Sequence, residues 1–183
     1  MKTRRVVVMP VHEIVRGFAR DFVRACKRTV LLIGVLFAGT HGTAHTAAAQ
    51  TTVTTLRGLA FGSVTSGVSK AIAANSANSL SFRISGVLGV GGGFSFTLPT
   101  SLPRVGGGAS LPVTFCTTCG IYRLGTNSPT GGIVFNPNNG VLGLTVLVNS
   151  DIYVWLGATA NPPLNQAGGT YSGTVTINVF AIL

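Results

Sequence analysis

Two cysteines, Cys116 and Cys119, form the one reactive pair between Gln50 and Leu183. A Cys-x-x-Cys spacing suits either a structural disulfide in an oxidising compartment or a redox pair beside a βαβ pattern. No helical pattern flanks these cysteines, so a local structural disulfide is favoured and a redox pair is the alternative. Two cysteines without a histidine cannot supply four zinc ligands, so we predict no metal and no cofactor.

Titratable side chains suited to catalysis are concentrated near the start of the chain. All three histidines and the only glutamate lie before residue 50, at His12, Glu13, His41 and His45. After that point Asp151 is the only acid. General acid–base catalysis requires titratable groups placed close together. We therefore predict no catalytic residues and expect that the protein is not an enzyme.

Residues 1–49 have the three parts of a secretory signal peptide. Eight lysines and arginines precede an uninterrupted apolar run, Val30–Ala38, and a small-residue stretch then continues to Ala49. The run is too short to span a bilayer, because a spanning helix needs about 20 apolar residues. Ala47 and Ala49 fit the −3 and −1 positions of signal peptidase, so the mature chain should begin at Gln50.

The basic segment ahead of the apolar run is predicted to be helical. Its apolar residues recur every three or four positions between Val11 and Cys26, opposite the arginines. Such a helix would lie on an anionic membrane surface during export, which is the only membrane contact we expect. A start of translation at Met9 instead of Met1 is the alternative reading.

Most of the net charge of +10 belongs to this leader. Five widely spaced cations remain after Gln50, namely Arg57, Lys70, Arg83, Arg104 and Arg123. Nucleic-acid binding requires clustered cations that displace counterions from several phosphates together. We therefore expect no nucleic-acid partner.

The region 50–183 has the pattern of a single all-β domain. Short runs of Val, Ile, Leu and Phe alternate with turn residues at the roughly 8–12-residue spacing of a sandwich or barrel, and no helical period occurs after residue 50. The predicted strands are Leu59–Val64, Val68–Ala73, Leu80–Ser85, Phe94–Leu98, Leu111–Phe115, Ile121–Leu124, Ile133–Phe135, Val141–Val148, Ile152–Gly157 and Thr170–Ile182.

Two glycine-containing segments are predicted to be connections. Asn139-Gly140 favours a tight turn, so a hairpin should join Ile133–Phe135 to Val141–Val148. The glycine-rich stretch 86–93 lacks the lysine and the following helix of a phosphate-binding loop. We interpret it as a flexible link that ends where the strand Phe94–Leu98 begins.

Aromatic residues near the C-terminus offer two interpretations. Tyr153 and Trp155 have the same strand parity, which places them on one face of Ile152–Gly157. With Tyr171 they could form a stacking platform for a sugar. Core packing is the favoured reading, because large aromatic side chains bury more area than any other residues.

Three segments carry a resemblance to a known family: Leu59–Val64, Tyr153–Thr159 and Asn165–Val179, which includes Gly-Thr-Tyr-Ser-Gly-Thr-Val-Thr-Ile. They resemble the secreted bacterial proteins of domain-of-unknown-function family 4402, which are similar to fimbrial subunits and spore-coat-U-type proteins. The resemblance implies an immunoglobulin-like β-sandwich exported by a Gram-negative cell and supplies no catalytic residues. Typical fimbrial subunits differ in having a penultimate aromatic, where this chain has Ile182, and a longer-range disulfide.

These observations predict a secreted structural protein of the bacterial cell surface, a pilin-like or coat-type subunit. Such a subunit would associate with itself through strand edges, and a fimbrial route would add a periplasmic chaperone and an outer-membrane usher as partners. A monomeric surface adhesin, or a module that binds a glycan or a protein, is the alternative.

The C-terminal segment Thr170–Ile182 is the predicted assembly edge. Its apolar face comprises Tyr171, Val175, Ile177 and Val179. No lysine, proline or acid in the segment blocks pairing with another chain. The candidate donor strand is Gln50–Gly58, although its apolar residues Val53 and Leu56 fall on opposite faces.

Overall fold

The computed structural model describes residues 4–5, 51–86, 88–146 and 150–180. The predicted signal helix and the cleavage site at Ala47, Ala49 and Gln50 lie outside these residues. All described residues belong to one compact unit. In this part of the chain we find no helix of the length and apolarity needed to cross a membrane.

β-Strands are the only regular secondary structure among the described residues. In chain order they are β1 (Arg4–Arg5), β2 (Thr52–Arg57), β3 (Lys70–Ile72), β4 (Leu80–Ser85), β5 (Gly89–Thr97), β6 (Ser101–Leu102), β7 (Leu111–Thr114), β8 (Gly120–Leu124), β9 (Ile133–Phe135), β10 (Val141–Val146), β11 (Ile152–Leu156), β12 (Ala158–Ala160) and β13 (Thr176–Phe180).

These strands make three sheets whose described pairings are all antiparallel. Sheet A has the order β1-β13-β5-β10, sheet B the order β2-β4-β11-β8-β9, and sheet C the order β3-β12-β7-β6. The predicted all-β class is therefore confirmed for the described residues.

Sheets A and B share one hydrophobic core. On sheet B the inward residues alternate along the strands: Leu80, Phe82 and Ile84 on β4, and Ile152, Val154 and Leu156 on β11. Sheet A contributes Phe94 from β5 and Ile177 from β13. Phe94 makes edge-on ring contacts with Tyr122 and Phe135, at centroid distances of 6.0 and 5.5 Å. Residues of both sheets thus close a single core in the manner of a sandwich.

Sheet C continues sheet B past a bend. Between β11 and β12 stands Gly157, whose backbone runs against that of the β3–β4 connection. A Cβ on Gly157 would lie 2.7 Å from the Ala74 nitrogen and would meet the Ile72 carbonyl oxygen. Only glycine permits this approach, and it lets β12 leave sheet B and pair with β3 and β7.

The two predicted connections differ from the structure. Asn136–Gly140 does form a turn, with Gly140 at a φ of 70° and its N–H donating to the Asn136 carbonyl. The hairpin prediction is wrong, because β9 pairs with β8 in sheet B and β10 pairs with β5 in sheet A. The turn therefore carries the chain from one layer of the sandwich to the other.

The glycine-rich stretch is not a simple link, since β5 already begins at Gly89. Gly92 and Gly93 are buried in the strand, and a Cβ at Gly92 would lie 2.5 Å from the Leu88 carbonyl oxygen. A Cβ at Gly93 would meet the Val141 carbonyl oxygen of β10. Close backbone approach, and not a turn, explains why glycine stands here.

Strand boundaries also differ at both ends of the domain. Leu59–Val64 forms no strand, and the C-terminal strand begins at Thr176 instead of Thr170. The segment predicted as a donor for another chain, Gln50–Gly58, contains β2, which pairs with β4 of its own chain. Val53 packs against the core, so this segment completes its own sheet.

Candidate functional site

The two cysteines lie where the chain passes from sheet C to sheet B. Cys116 and Cys119 are joined by a disulfide between β7 and β8, as the sequence predicted. The Cys119 N–H donates to the Cys116 carbonyl at 3.2 Å, and the Gly157 N–H donates to the Cys119 carbonyl at 2.8 Å. The disulfide thus closes the tight turn that faces the bend at Gly157.

Asp151, at the start of β11, has three polar neighbours on the outer surface of sheet B. The Arg83 guanidinium lies 2.8 Å from its carboxylate, and the Ser85 and Tyr153 hydroxyls donate to it at 2.7 and 3.4 Å. The hydrogen bond from Arg83, followed by that from Ser85, holds the pKa of Asp151 below its ordinary value. The same pair raises the pKa of Arg83. This arrangement is a structural ion pair and offers no free acid or base for catalysis.

Tyr153 and Trp155 lie on one face, as their parity predicted, and their rings stack at a centroid distance of 6.2 Å. This is the face of sheet B that points away from the shared core, because the alternating residues Ile152, Val154 and Leu156 occupy the inner face. Trp155 is nevertheless only 1% exposed. Its ring therefore has no face free for a ligand, and the alternative interpretation, a sugar platform at Tyr153 and Trp155, is not open in this structure.

The loop between β8 and β9, residues 125–132, lies beside the cross-strand neighbours of Trp155. At one end of the loop the Arg123 guanidinium donates to the Thr130 carbonyl, and Gly132 packs on the Ile121 side chain. Asn127 of the loop and Ser81 of β4 line the same cavity. Ser81 and Ile121 both pair in register with Trp155.

Cations that are far apart in sequence come together on this outer face. Arg83 and Arg123 both pair in register with Tyr153, and Arg57 pairs with Ser81 one row further along. These arginines are widely spaced in the sequence, and only the strand register brings them to one side. Cross-strand pairing within three antiparallel ladders was the missing information.

A cavity of about 250 Å³ lies at the edge of this face. Leu56 and Arg57 of β2, Ser81 of β4 and Asn127 of the 125–132 loop line it. The lining combines a guanidinium, a hydroxyl and an amide with one apolar side chain. We call it the Arg57 cavity. The sequence named Leu56 and Arg57 for other reasons but predicted no site here, since the β2 pairing and the position of the loop bring the lining residues together.

The predicted assembly edge is only partly a strand. Tyr171 lies before β13 and donates from its hydroxyl to the Ala167 carbonyl, in a corner where it also receives a hydrogen bond from Gln166 at 2.6 Å. Val175, Ile177 and Val179 point into or against the core. The part of β13 that remains for pairing is its backbone, on the side away from β5.

On that side β13 meets only β1 among the described residues. Arg5 pairs with Asn178 and Arg4 with Val179, while β5 covers the opposite side of β13 from Thr176 to Phe180. The other edge of sheet A, β10, is interrupted by register shifts around Leu144. Such irregularities oppose the pairing of another strand with β10. The outer side of β13 is therefore the more regular place for strand pairing in this sheet.

The described residues contain no group of three or more His, Cys, Asp or Glu side chains that could hold a metal ion. Comparison of the chain with protein-family models, with curated proteins and with solved structures found no match. What the site can do must therefore be argued from its geometry.

Proposed function

We propose that this protein is a non-enzymatic structural subunit, pilin-like or coat-type, of a bacterial surface structure. The observation that carries the proposal is the edge of β13. This strand has no charged residue or proline, its register with β5 is continuous, and a second strand already pairs with its outer side. An edge of this kind accepts a strand from another chain through backbone hydrogen bonds.

The proposal includes the assignment to family 4402 and its immunoglobulin-like sandwich. The antiparallel sheets around one core support it, whereas the local disulfide departs from the longer-range one of typical fimbrial subunits. The proposal also includes export across the inner membrane to the cell surface, which rests on the predicted leader, and a Gram-negative cell, which the family resemblance implies. A periplasmic chaperone and an outer-membrane usher are the partners of the fimbrial version of this route.

The segment Gln50–Gly58 is not available as the donor of the incoming strand while it is paired within its own chain. Thr52–Arg57 is held by β4, and Val53 is packed against the core. Edge-to-edge association therefore fits the subunit better than donation of this segment. A monomeric binding module is the second candidate, and the Arg57 cavity is the observation that favours it.

A lysine placed on β13 tests the subunit function. Asn178→Lys should abolish assemblies in material sheared from producing cells, because a charge on an edge strand opposes strand pairing. Thr174→Lys is the matched control: it adds the same charge at an exposed position of the same parity before the strand begins. Electron microscopy and sedimentation of the sheared material give the result. Equal assembly of both variants, or no assembly by the unaltered protein, would refute the subunit function.

A further inference from the structure

We propose that the Arg57 cavity binds the carboxylate of an acidic sugar, such as a uronic acid residue of a surface polysaccharide. The cavity lies on the outer face of sheet B, whereas the proposed assembly edge belongs to sheet A. Ligand binding is thus separate from the structural role, and an experiment can refute either proposal without refuting the other.

The five cations that follow residue 50 differ in whether they have a bonded partner. Four of them have a bonded partner within the described part of the chain. Lys70 donates to the Ser63 carbonyl, Arg83 to Asp151, Arg104 to the Gly168 carbonyl, and Arg123 to the Thr130 carbonyl. The guanidinium of Arg57 makes no hydrogen bond or ion pair with any described residue, and it is the one that lines the cavity.

Within the described part of the chain, no acid is available as a counter-charge for Arg57. Asp151 is the only acid among the described residues, and Arg83, Ser85 and Tyr153 already engage it. A guanidinium presents parallel N–H donors that match the two oxygens of a carboxylate. A carboxylate from outside therefore fits the free end of Arg57.

The remaining lining residues favour a sugar as the carrier of that carboxylate. Asn127 is exposed and offers an amide, which donates to and accepts from sugar hydroxyls. Ser81 adds a hydroxyl to the lining but is only 2% exposed. Leu56, 42% exposed, gives an apolar surface for the C–H face of a ring. The volume of about 250 Å³ is below the roughly 300–1,000 Å³ of pockets for drug-sized ligands. It suits one sugar residue of a chain whose neighbours stay outside.

An acidic peptide fits this place less well. An extended peptide would bind here by adding a strand to β2, the edge of sheet B. The β2–β4 register shifts between Thr55 and Arg57, beside the cavity. Such a bulge interrupts the row of backbone groups that strand addition needs, so the cavity is better matched to side-on contact with a sugar.

Titration calorimetry of the full chain with a trigalacturonate tests the proposal. The unaltered protein should bind it, and added salt should weaken the binding because one ion pair contributes. Arg57→Gln should weaken binding by about tenfold or more, since a charge-assisted hydrogen bond is lost. Asn127→Ala should weaken it by less. Lys70→Gln removes the same charge on sheet C and should bind as the unaltered protein does.

Four results would overturn the proposal. Binding of the methyl-esterified oligomer as tight as that of the acid would show that the carboxylate is not recognised. Equal binding of a poly-glutamate peptide would show that the sugar is not. Unchanged binding by Arg57→Gln, or no binding by the unaltered protein, would remove the site. Thermal unfolding of each variant verifies its fold, and unaltered surface assembly by Arg57→Gln keeps this question apart from the subunit function.

Discussion

At the scale of single residues, Asp151 makes stability depend on pH. The hydrogen bonds from Arg83 and Ser85 stabilise its ionised form and lower its pKa from the ordinary value of 3.8. A lowered pKa in the folded state gives a contribution that is complete above the unfolded pKa. That contribution is lost as the pH falls through the folded value. The side chains of Arg83 and Asp151 are 46% and 25% exposed, so solvent weakens the effect.

We therefore expect the urea midpoint of the unaltered protein to fall as the pH is lowered below about 4. Asp151→Asn should have a lower midpoint at neutral pH and a flatter profile below it, because its side chain no longer titrates. Arg83→Gln should flatten the profile in the same way by removing the partner. Parallel urea titrations across this pH range measure the effect. Profiles of equal steepness in all three proteins would contradict the role given to this ion pair.

At the scale of elements, Gly157 determines how sheet B passes into sheet C. A methyl group on it would collide with the backbone of the β3–β4 connection. Gly157→Ala should therefore destabilise the protein by about 1–3 kcal/mol, the usual cost of forcing atoms into a packed site. Gly58→Ala is the matched control, because nothing lies within 4 Å of its Cβ position. Chemical denaturation measures both variants, and equal stabilities would show that the bend tolerates a side chain.

The strands that the sequence predicted best have core-facing apolar residues at alternate positions. Leu80–Ser85 is found with the predicted bounds, and Ile152–Gly157 differs from β11 only at Gly157. The first half of β5 was missed because glycine has low strand propensity. Gly92 and Gly93 occupy these positions because the carbonyl oxygens of Leu88 and Val141 approach them closely. That contact is tertiary, and no local pattern reveals it.

The candidate site, too, could be predicted from the sequence only in part. Parity correctly placed Tyr153 and Trp155 on one face, and the Cys-x-x-Cys spacing predicted the disulfide. The position of the 125–132 loop beside Ile121 and Ser81 could not be read from Gly, Thr, Asn and Ser residues that are common to any turn. The gathering of Arg57, Arg83 and Arg123 likewise depends on a register between strands that are distant in the chain.

At the scale of the whole molecule, the two proposed activities lie on different sheets. The β13 edge belongs to sheet A, whereas the Arg57 cavity opens from sheet B. A subunit built in this way can join its neighbours through one layer and keep the other layer in contact with solvent. Assembly would then display many copies of a weak site, which raises the avidity for a repetitive polysaccharide.

Removal of the leader should change how the whole molecule associates. Arg4 and Arg5 pair with β13 on the side away from β5, so the full chain has this position occupied. Cleavage after Ala49 removes both arginines and leaves unpaired N–H and C=O groups on an uncharged edge.

We expect the chain that begins at Gln50 to form oligomers, and the full chain, in the same mild detergent, to remain monomeric. Intact-mass analysis of exported protein identifies the start of the mature chain, and light scattering after size-exclusion chromatography measures its size. Asn178→Lys in the mature chain should restore the monomer, because its charge opposes pairing as the bound leader does. A mature chain that stays monomeric at high concentration would show that Arg4–Arg5 guards no assembly edge.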